Sequence, residues 1–489
     1  MRDSMRNPSV RRPGFAGLTA AALGVLVLTG CSMMPVYERP AAPVADQWPG
    51  LSAPQSAAQA PAGVLPWKEF VQDERLRALI GQALEHNRDL RVAVLAIEQA
   101  RAQHQIRRAD LTPTVNLAAT GSRQTASEDR INSTYTAGLT FASWEIDFFG
   151  RLASLKESAL AQYLASEEAH RAVQTSLVAS VASTWLSLQA DEELLALTRR
   201  TLATREESRR LVQLRHQQGV VSALDLRQAE SLVAAARVAL AQQERQRALD
   251  TNALTLLLGM APPAPLLEEV ASPQTVFADI PAGLPSDLLT QRADVRQAEQ
   301  SLIAANASIG AARAAFFPRI SLTASAGTAS SALSGLFKDG SWGWSIAPQV
   351  LLPIFDAGRN QALLDSAQAT RAMALAQYEK AIQTAFRDVA DALAGRATLT
   401  GQVIAQQAQA DAEAERLRLA ELRYRNGVAS SLEVLDAQRS VFSAQQALAQ
   451  GRLALRQNQV GLYKALGGGW MASPPPPIAE AAPAAASVR

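Results

Sequence analysis

The chain repeats itself. Leu84, Asp89, Arg91, Ala93, Arg108, Ala109, Pro113, Leu117 and Ala119 recur 205 positions later as Leu289, Asp294, Arg296, Ala298, Arg313, Ala314, Pro318, Leu322 and Ala324. After a small insertion the spacing becomes 208. Gly150, Arg151, Leu155, Arg215, Gly219, Val220, Ser222, Leu224, Leu258 and Gly259 return as Gly358, Arg359, Leu363, Arg423, Gly427, Val428, Ser430, Leu432, Leu466 and Gly467. So many identities in register, several of them glycines that mark turns, make the chain two copies of one unit.

The rest of the chain frames those copies. Residues 1–30 have the form of a signal peptide: Arg2, Arg6, Arg11 and Arg12 precede an apolar stretch from Gly14 to Thr29 that is too short to span a bilayer. It ends in Leu28-Thr29-Gly30-Cys31, which resembles a bacterial lipobox, so Cys31, the only cysteine, is expected to carry lipid. Ser32 after it points to the outer membrane by the sorting pattern of such lipoproteins. The expected layout continues with an extended segment at 31–68, a first repeat at 69–261, a proline-punctuated linker at 262–285, a second repeat at 286–471 and a disordered tail at 472–489. Beyond residue 31 no run of 18 apolar residues occurs.

Within the first copy, residues from about Arg75 to Asp110 read as helix, broken near Asn87 with Asp89 as an N-cap, and Pro113 stops it. A β-hairpin at about 114–143 follows, with Val115, Leu117 and Ala119 on one face of its first strand and Tyr135, Ala137, Leu139 and Phe141 on one face of its second. The second copy repeats it at about 319–350, with Ile320, Leu322, Ala324, Ala326, Trp342, Trp344 and Ile346. Each strand is about the ten residues of a tilted bilayer crossing, although such periodicity taken alone more often marks a soluble-sheet hairpin. Turns rich in aromatic residues come next: Trp144, Phe148, Phe149 and Gly150, then Phe355 and Gly358, side chains suited to a membrane–water boundary.

Arg151 to Gln218 contains neither proline nor glycine, so helix can continue for about 100 Å. Gly219 turns the chain, and the return helix carries Leu226, Ala229, Val233, Ala236 and Leu240, matched by Val434, Ala437, Val441, Ala444 and Leu448. That is a small-residue coiled-coil seam. Leu90 to Asp110 can stack on the shorter return helix, giving two nearly equal columns per copy. Such tall columns suit a tube. Four lipid-facing strands cannot close a barrel, and hydrocarbon does not tolerate open edges, so several chains must pool their strands.

Charge and composition exclude other classes. There are 47 basic and 45 acidic side chains, and the leader holds four of the arginines, so no nucleic-acid partner is implied. His86, His104, His170 and His216 show no zinc-binding spacing, no phosphate loop follows a strand, and no cofactor, metal site or enzymatic activity is expected.

From Cys31 to Met471 the chain resembles the TolC/OprM type of outer membrane efflux protein, in its lipoprotein branch serving resistance-nodulation-division pumps. The marks are Asp147-Phe148-Phe149-Gly150-Arg151 and Phe355-Asp356-Ala357-Gly358-Arg359, the duplicated Gly-Val-x-Ser tips, and the run from Ser431 to Arg439. The resemblance implies a mainly α fold with a small β part: a homotrimer whose 12-stranded outer membrane β-barrel continues into a periplasmic α-barrel. It further implies contact with outer membrane lipid, a periplasmic adaptor and an inner-membrane pump. Gly219, Val220, Ser222, Gly427, Val428 and Ser430 would meet the adaptor. Asp225, Tyr424, Glu433 and Asp436 would form the periplasmic gate, with rings of carboxylates selecting by charge. Ala429 departs from family members that have an arginine there. A passive small-molecule exit duct is the leading expectation; a protein-secretion duct and a non-conducting envelope spacer are the alternatives.

Overall fold

The computed structural model describes residues 32–45, 48, 65–125, 131–264, 276–280 and 291–468. Cys31, the leader, most of the linker and the tail lie outside the described residues. The helices are α1 (Trp67–Phe70), α2 (Glu74–His86), α3 (Arg88–Ala109), α4 (Arg151–Gln217), α5 (Ala223–Leu258), α6 (Ala293–Ala314), α7 (Arg359–Arg425) and α8 (Ser431–Ala465). The strands are β1 (Asn116–Thr125), β2 (Ile131–Ile146), β3 (Arg319–Ser330) and β4 (Trp342–Leu351). Among the described residues no helix is long and apolar enough to cross a membrane.

The chain forms two compact units, one of residues 32–40, Glu98–Ala165 and Glu299–Gln377, the other of Ala41–Ile97, Ser166–Ala298 and the chain from Tyr378. The first holds a single antiparallel sheet in the order β1-β2-β3-β4, so the second strand of one copy pairs with the first strand of the other. The register sorts side chains by face. Leu117, Leu139, Ala326 and Trp344 stand in one row, and Ala119, Ala137, Thr328 and Trp342 in the next. The opposite face carries Asn116, Thr140, Ser325 and Ser345, with hydroxyl pairs Thr120–Thr136 at 2.6 Å and Ser325–Ser345 at 2.8 Å. Trp342, Trp344, Ile346 and Val350 are exposed on the apolar face.

One expectation needs correcting. Trp144 belongs to a strand rather than a turn: β2 bulges between Phe141 and Trp144, with Ser143 at φ 53°, and then pairs again through Trp144–Leu322, Glu145–Ser321 and Ile146–Ile320. The bulge lets the strand run three residues past the expected end at Ser143.

The same unit contains an extended strap of residues 32–40. Asn306 donates to the Pro35 carbonyl at 2.8 Å, and Arg39 makes a bidentate pair with Glu299 at 2.6 and 2.9 Å. The Met34 backbone passes over Gly310, where a Cβ would collide with it.

In the second unit the apolar stripes are buried as their spacing requires, through Leu177, Val181, Trp185 and Leu188 of α4, Ala229, Val233 and Ala236 of α5, and Val434, Ala437, Ala444 and Leu448 of α8. Helix α2 is capped by Asp73, whose carboxylate accepts from Arg75 N at 2.9 Å. The cap expected at Asp89 is supplied by Asn87: its Oδ1 accepts from Leu90 N and its Nδ2 donates to the Leu257 carbonyl, both at 2.9 Å. The amide thus serves the start of α3 and the end of α5 at once. In the second copy the matching position is Arg292, which donates to the matching carbonyl, Ala465 O, at 3.0 Å. Two unlike side chains satisfy the same helix terminus.

Candidate functional site

The tips of the two helical hairpins lie in the second unit and share one backbone design. At the first, α4 ends at Gln217 and Gly219 takes φ 71°, while Val220 N donates to the Arg215 carbonyl and Gly219 N to the His216 carbonyl, both at 2.9 Å. At the second, Gly427 takes φ 75°, with Val428 N on Arg423 O at 2.9 Å and Gly427 N on Tyr424 O at 3.0 Å. This satisfies the last carbonyls of each outgoing helix and needs a residue that tolerates the left-handed region. It leaves Val220, Leu224, Val428 and Leu432 exposed.

Beyond the turns the copies part. Ser222 and Asp225 form a reciprocal capping box: Ser222 Oγ accepts from Asp225 N at 3.1 Å, and Asp225 Oδ2 accepts from Ser222 N at 3.1 Å. Asp225 Oδ1 accepts from the Ser431 hydroxyl of the second tip at 2.7 Å. Hydrogen bonds from Ser222, then Ser431, hold this carboxyl below the usual aspartate range. Ser430, the counterpart of Ser222, makes no side-chain cap bond. Glu433, the counterpart of Asp225, pairs instead with Arg423 at 2.7 Å.

Asp436 sits between two arginines, Arg416 and Arg439, each at 2.5 Å. The hydrogen bond from Arg416 first, aided by the charge of Arg439, lowers its pKa. Tyr424 packs against Ala420, Val434 and Ala437, and its hydroxyl accepts from Arg215 Nη1 at 2.6 Å. The four expected gate residues therefore fall in one region. Their partners Arg215, Ser431, Arg423, Arg416 and Arg439 had no expected role there, although Arg215 and Arg423 stood out as a recurring pair and Ser431 and Arg439 as the ends of a marked run. Among the described residues no group of three or more potential metal ligands occurs.

The aromatic turns lie in the sheet unit. Gly150 and Gly358 take φ 71° and 83°, and Asp147 and Asp356 cap the helices that follow by accepting from Ala153 N at 2.7 Å and Asn360 N at 2.9 Å. Phe149 stacks on Phe317 with centroids 4.8 Å apart, Phe148 is half-buried, and Phe355 is 89% exposed. Glu145 joins Arg151 at 2.7 Å and Arg319 at 3.0 Å beside a cavity of about 710 Å³.

With this geometry in view, the family model described as outer membrane efflux protein matches residues 79–260 and 284–468, one stretch for each copy. The chain belongs to the outer membrane efflux protein family. It is 48% identical over 462 residues to the antibiotic efflux pump outer membrane protein ArpC of Pseudomonas putida, covering 93% of this chain and 96% of that one. The same values hold for the toluene efflux pump outer membrane protein TtgC of that species. Among solved structures, the open state of the MtrE outer membrane channel of Neisseria gonorrhoeae is 41% identical with a TM-score of 0.82, covering 91% of this chain and 100% of that one. As an outer membrane efflux protein, the chain is mainly helical with one small sheet and an internal duplication, and its family is one of channel proteins.

Proposed function

We propose that this outer membrane efflux protein is the exit duct of a tripartite pump. Three copies would close a 12-stranded barrel, each lending its four strands and joining its β1 edge to the β4 edge of the next. The observation that carries this reading is the sheet itself: one exposed face of Trp, Ile, Leu and Val, one of Ser, Thr and Asn, and an edge strand at either end. A bilayer rejects such edges unless they are paired, and a barrel removes them. The apolar face would meet outer membrane lipid and the hydroxyl face a water-filled bore. Cys31 would carry the anchoring lipid, and the aromatic turns at Phe148, Phe149, Gly150, Phe355 and Gly358, with Trp144 beside them, would lie at the membrane boundary.

The hairpin tips would seat a periplasmic adaptor through Gly219, Val220, Ser222, Gly427, Val428 and Ser430, with energy coming from an inner-membrane pump. Asp225, Tyr424, Glu433 and Asp436 would gate the periplasmic end. The names of ArpC and TtgC support antibiotics and small apolar toxicants as cargo. The test is reconstitution into planar bilayers together with particle images of the purified protein. Ion conductance from a threefold hollow particle is expected; a non-conducting monomer would end the reading.

A further inference from the structure

A cation is buried where the two helical hairpins meet. Arg205 of α4 is 4% exposed; its Nη1 donates to the Leu232 carbonyl of α5 at 3.1 Å, and its guanidinium lies 5.2 Å from the ring centre of Phe442 on α8. Its Nε is buried with no acceptor among the described residues. No carboxylate among them pairs with it either: Glu206, Glu207 and Glu230 are taken by Arg237, Arg210 and Arg227. Burial lowers the pKa of this guanidinium. An uncompensated buried charge is strongly destabilising, and one hydrogen bond with one aromatic face offsets only part of that cost.

The seam between the hairpins changes character at this residue. Towards the tips it is held by polar contacts: Gln438 Nε2 on the Ser208 hydroxyl at 3.2 Å, the Ser431 hydroxyl on Asp225 at 2.7 Å, and Arg215 on the Tyr424 hydroxyl at 2.6 Å. Gln438 Oε1 is buried in that stretch with no donor among the described residues. Away from the tips the seam is apolar, where Phe442 packs against Leu194, Leu197 and Ala449. Water can stand in for polar contacts and satisfy their leftover groups, but it cannot replace an apolar cluster.

We propose that the uncompensated charge of Arg205 loads the two hairpins towards parting. As they separate from the tips, water reaches the guanidinium along the face that Phe442 covers and supplies the acceptors it lacks. The cluster of Leu194, Leu197 and Ala449 behind it is the fulcrum at which the movement stops. The load is a property of the seam. Its effect on conduction rests on the exit-duct reading.

The test compares the purified full chain with R205M, R205Q and R205K by hydrogen exchange of α8. Methionine and glutamine remove the charge, glutamine keeping a donor for the Leu232 carbonyl, whereas lysine keeps the charge. Exchange of the amides between Ser431 and Phe442 is expected to slow about tenfold in R205M and R205Q and to stay near wild type in R205K. Amides around Ala449 should exchange alike in all four proteins. Unchanged or faster exchange in the neutral variants, or the same slowing in R205K, would overturn the load. R205Q decides the matter if methionine prevents folding, and loss of folding in both neutral variants would overturn the load too, because the charge would then be a support. In planar bilayers R205M and R205Q should open about tenfold less often than wild type, opposite in sign to loosening the tip contacts. Slowed exchange with unchanged opening would overturn the link to the gate while leaving the load standing. Absence of any wild-type conductance would instead count against the exit-duct reading, and the exchange measurement would still decide the load.

Discussion

The guanidinium of Arg215, on the first hairpin, lies 4.9 Å from the ring centre of Tyr424 on the second and also donates to its hydroxyl. One cation thus holds the neighbouring hairpin by its ring and by its oxygen. The Ser431–Asp225 bond links the same two tips with its donor on the second hairpin. A movement that separates them has to break both contacts.

Tyr424→Phe removes the acceptor and keeps the ring. Loss of one hydrogen bond of about 1 kcal/mol should raise open probability about fivefold in planar bilayers. Arg215→Ala, which removes the ring contact as well, should raise it further. An open probability unchanged in both variants would detach this pair from the gate.

The two tips should respond differently to loss of their serines. Ser222→Ala breaks a capping box and should cost about 1 kcal/mol locally, read as faster hydrogen exchange in the first turn of α5. Ser430→Ala should leave the first turn of α8 unaltered, because Ser430 forms no side-chain cap bond. Equal effects at both sites would contradict the observed asymmetry.

Asp436→Ala and Glu433→Ala should increase conductance and reduce block by divalent cations. Because Arg416 and Arg439 hold Asp436 below the usual aspartate range, its pairing should persist through neutral pH. It should be lost only as the pH falls through that lowered value, and high salt should weaken these exposed pairs. Conductance and divalent block measured against pH and salt check this; identical block in wild type and double variant would refute it.

The sheet faces make opposite demands on a charge. Trp344→Arg should impair membrane assembly, with a cost of about 2–4 kcal/mol if it lies at mid-bilayer, whereas Ser345→Arg should assemble and alter ion selectivity. Urea extraction of membranes followed by reversal-potential measurement separates the two. Equal assembly of both variants would show that the faces are misassigned.

Much of this architecture could be read from the duplication. The turn glycines at 150, 219, 358 and 427 all adopt positive φ, as recurrence at a fixed spacing suggested. The long helices and their buried seams followed from uninterrupted runs with apolar side chains three and four residues apart. Long-range partnerships were not legible. Asn87 caps α3 while reaching Leu257, a carbonyl 170 residues away, and nothing near Asn87 announces that acceptor. The pairings of Tyr424 and Asp436 were hidden because the copies differ there: His216 stands opposite Tyr424 and Gln228 opposite Asp436, so the repeat offered no second example of either. Trp144 was misplaced because a bulge adds residues without a local signature.

The β2–β3 seam has a temporal consequence. Ser143 N bonds the Thr323 hydroxyl across 180 residues of intervening chain, so the centre of the sheet is a junction of very high contact order. During synthesis the first hairpin must wait, unpaired along one side, until the second copy has been made. Each helical hairpin, by contrast, can form from contacts within its own copy, so the two copies depend on each other most at this seam.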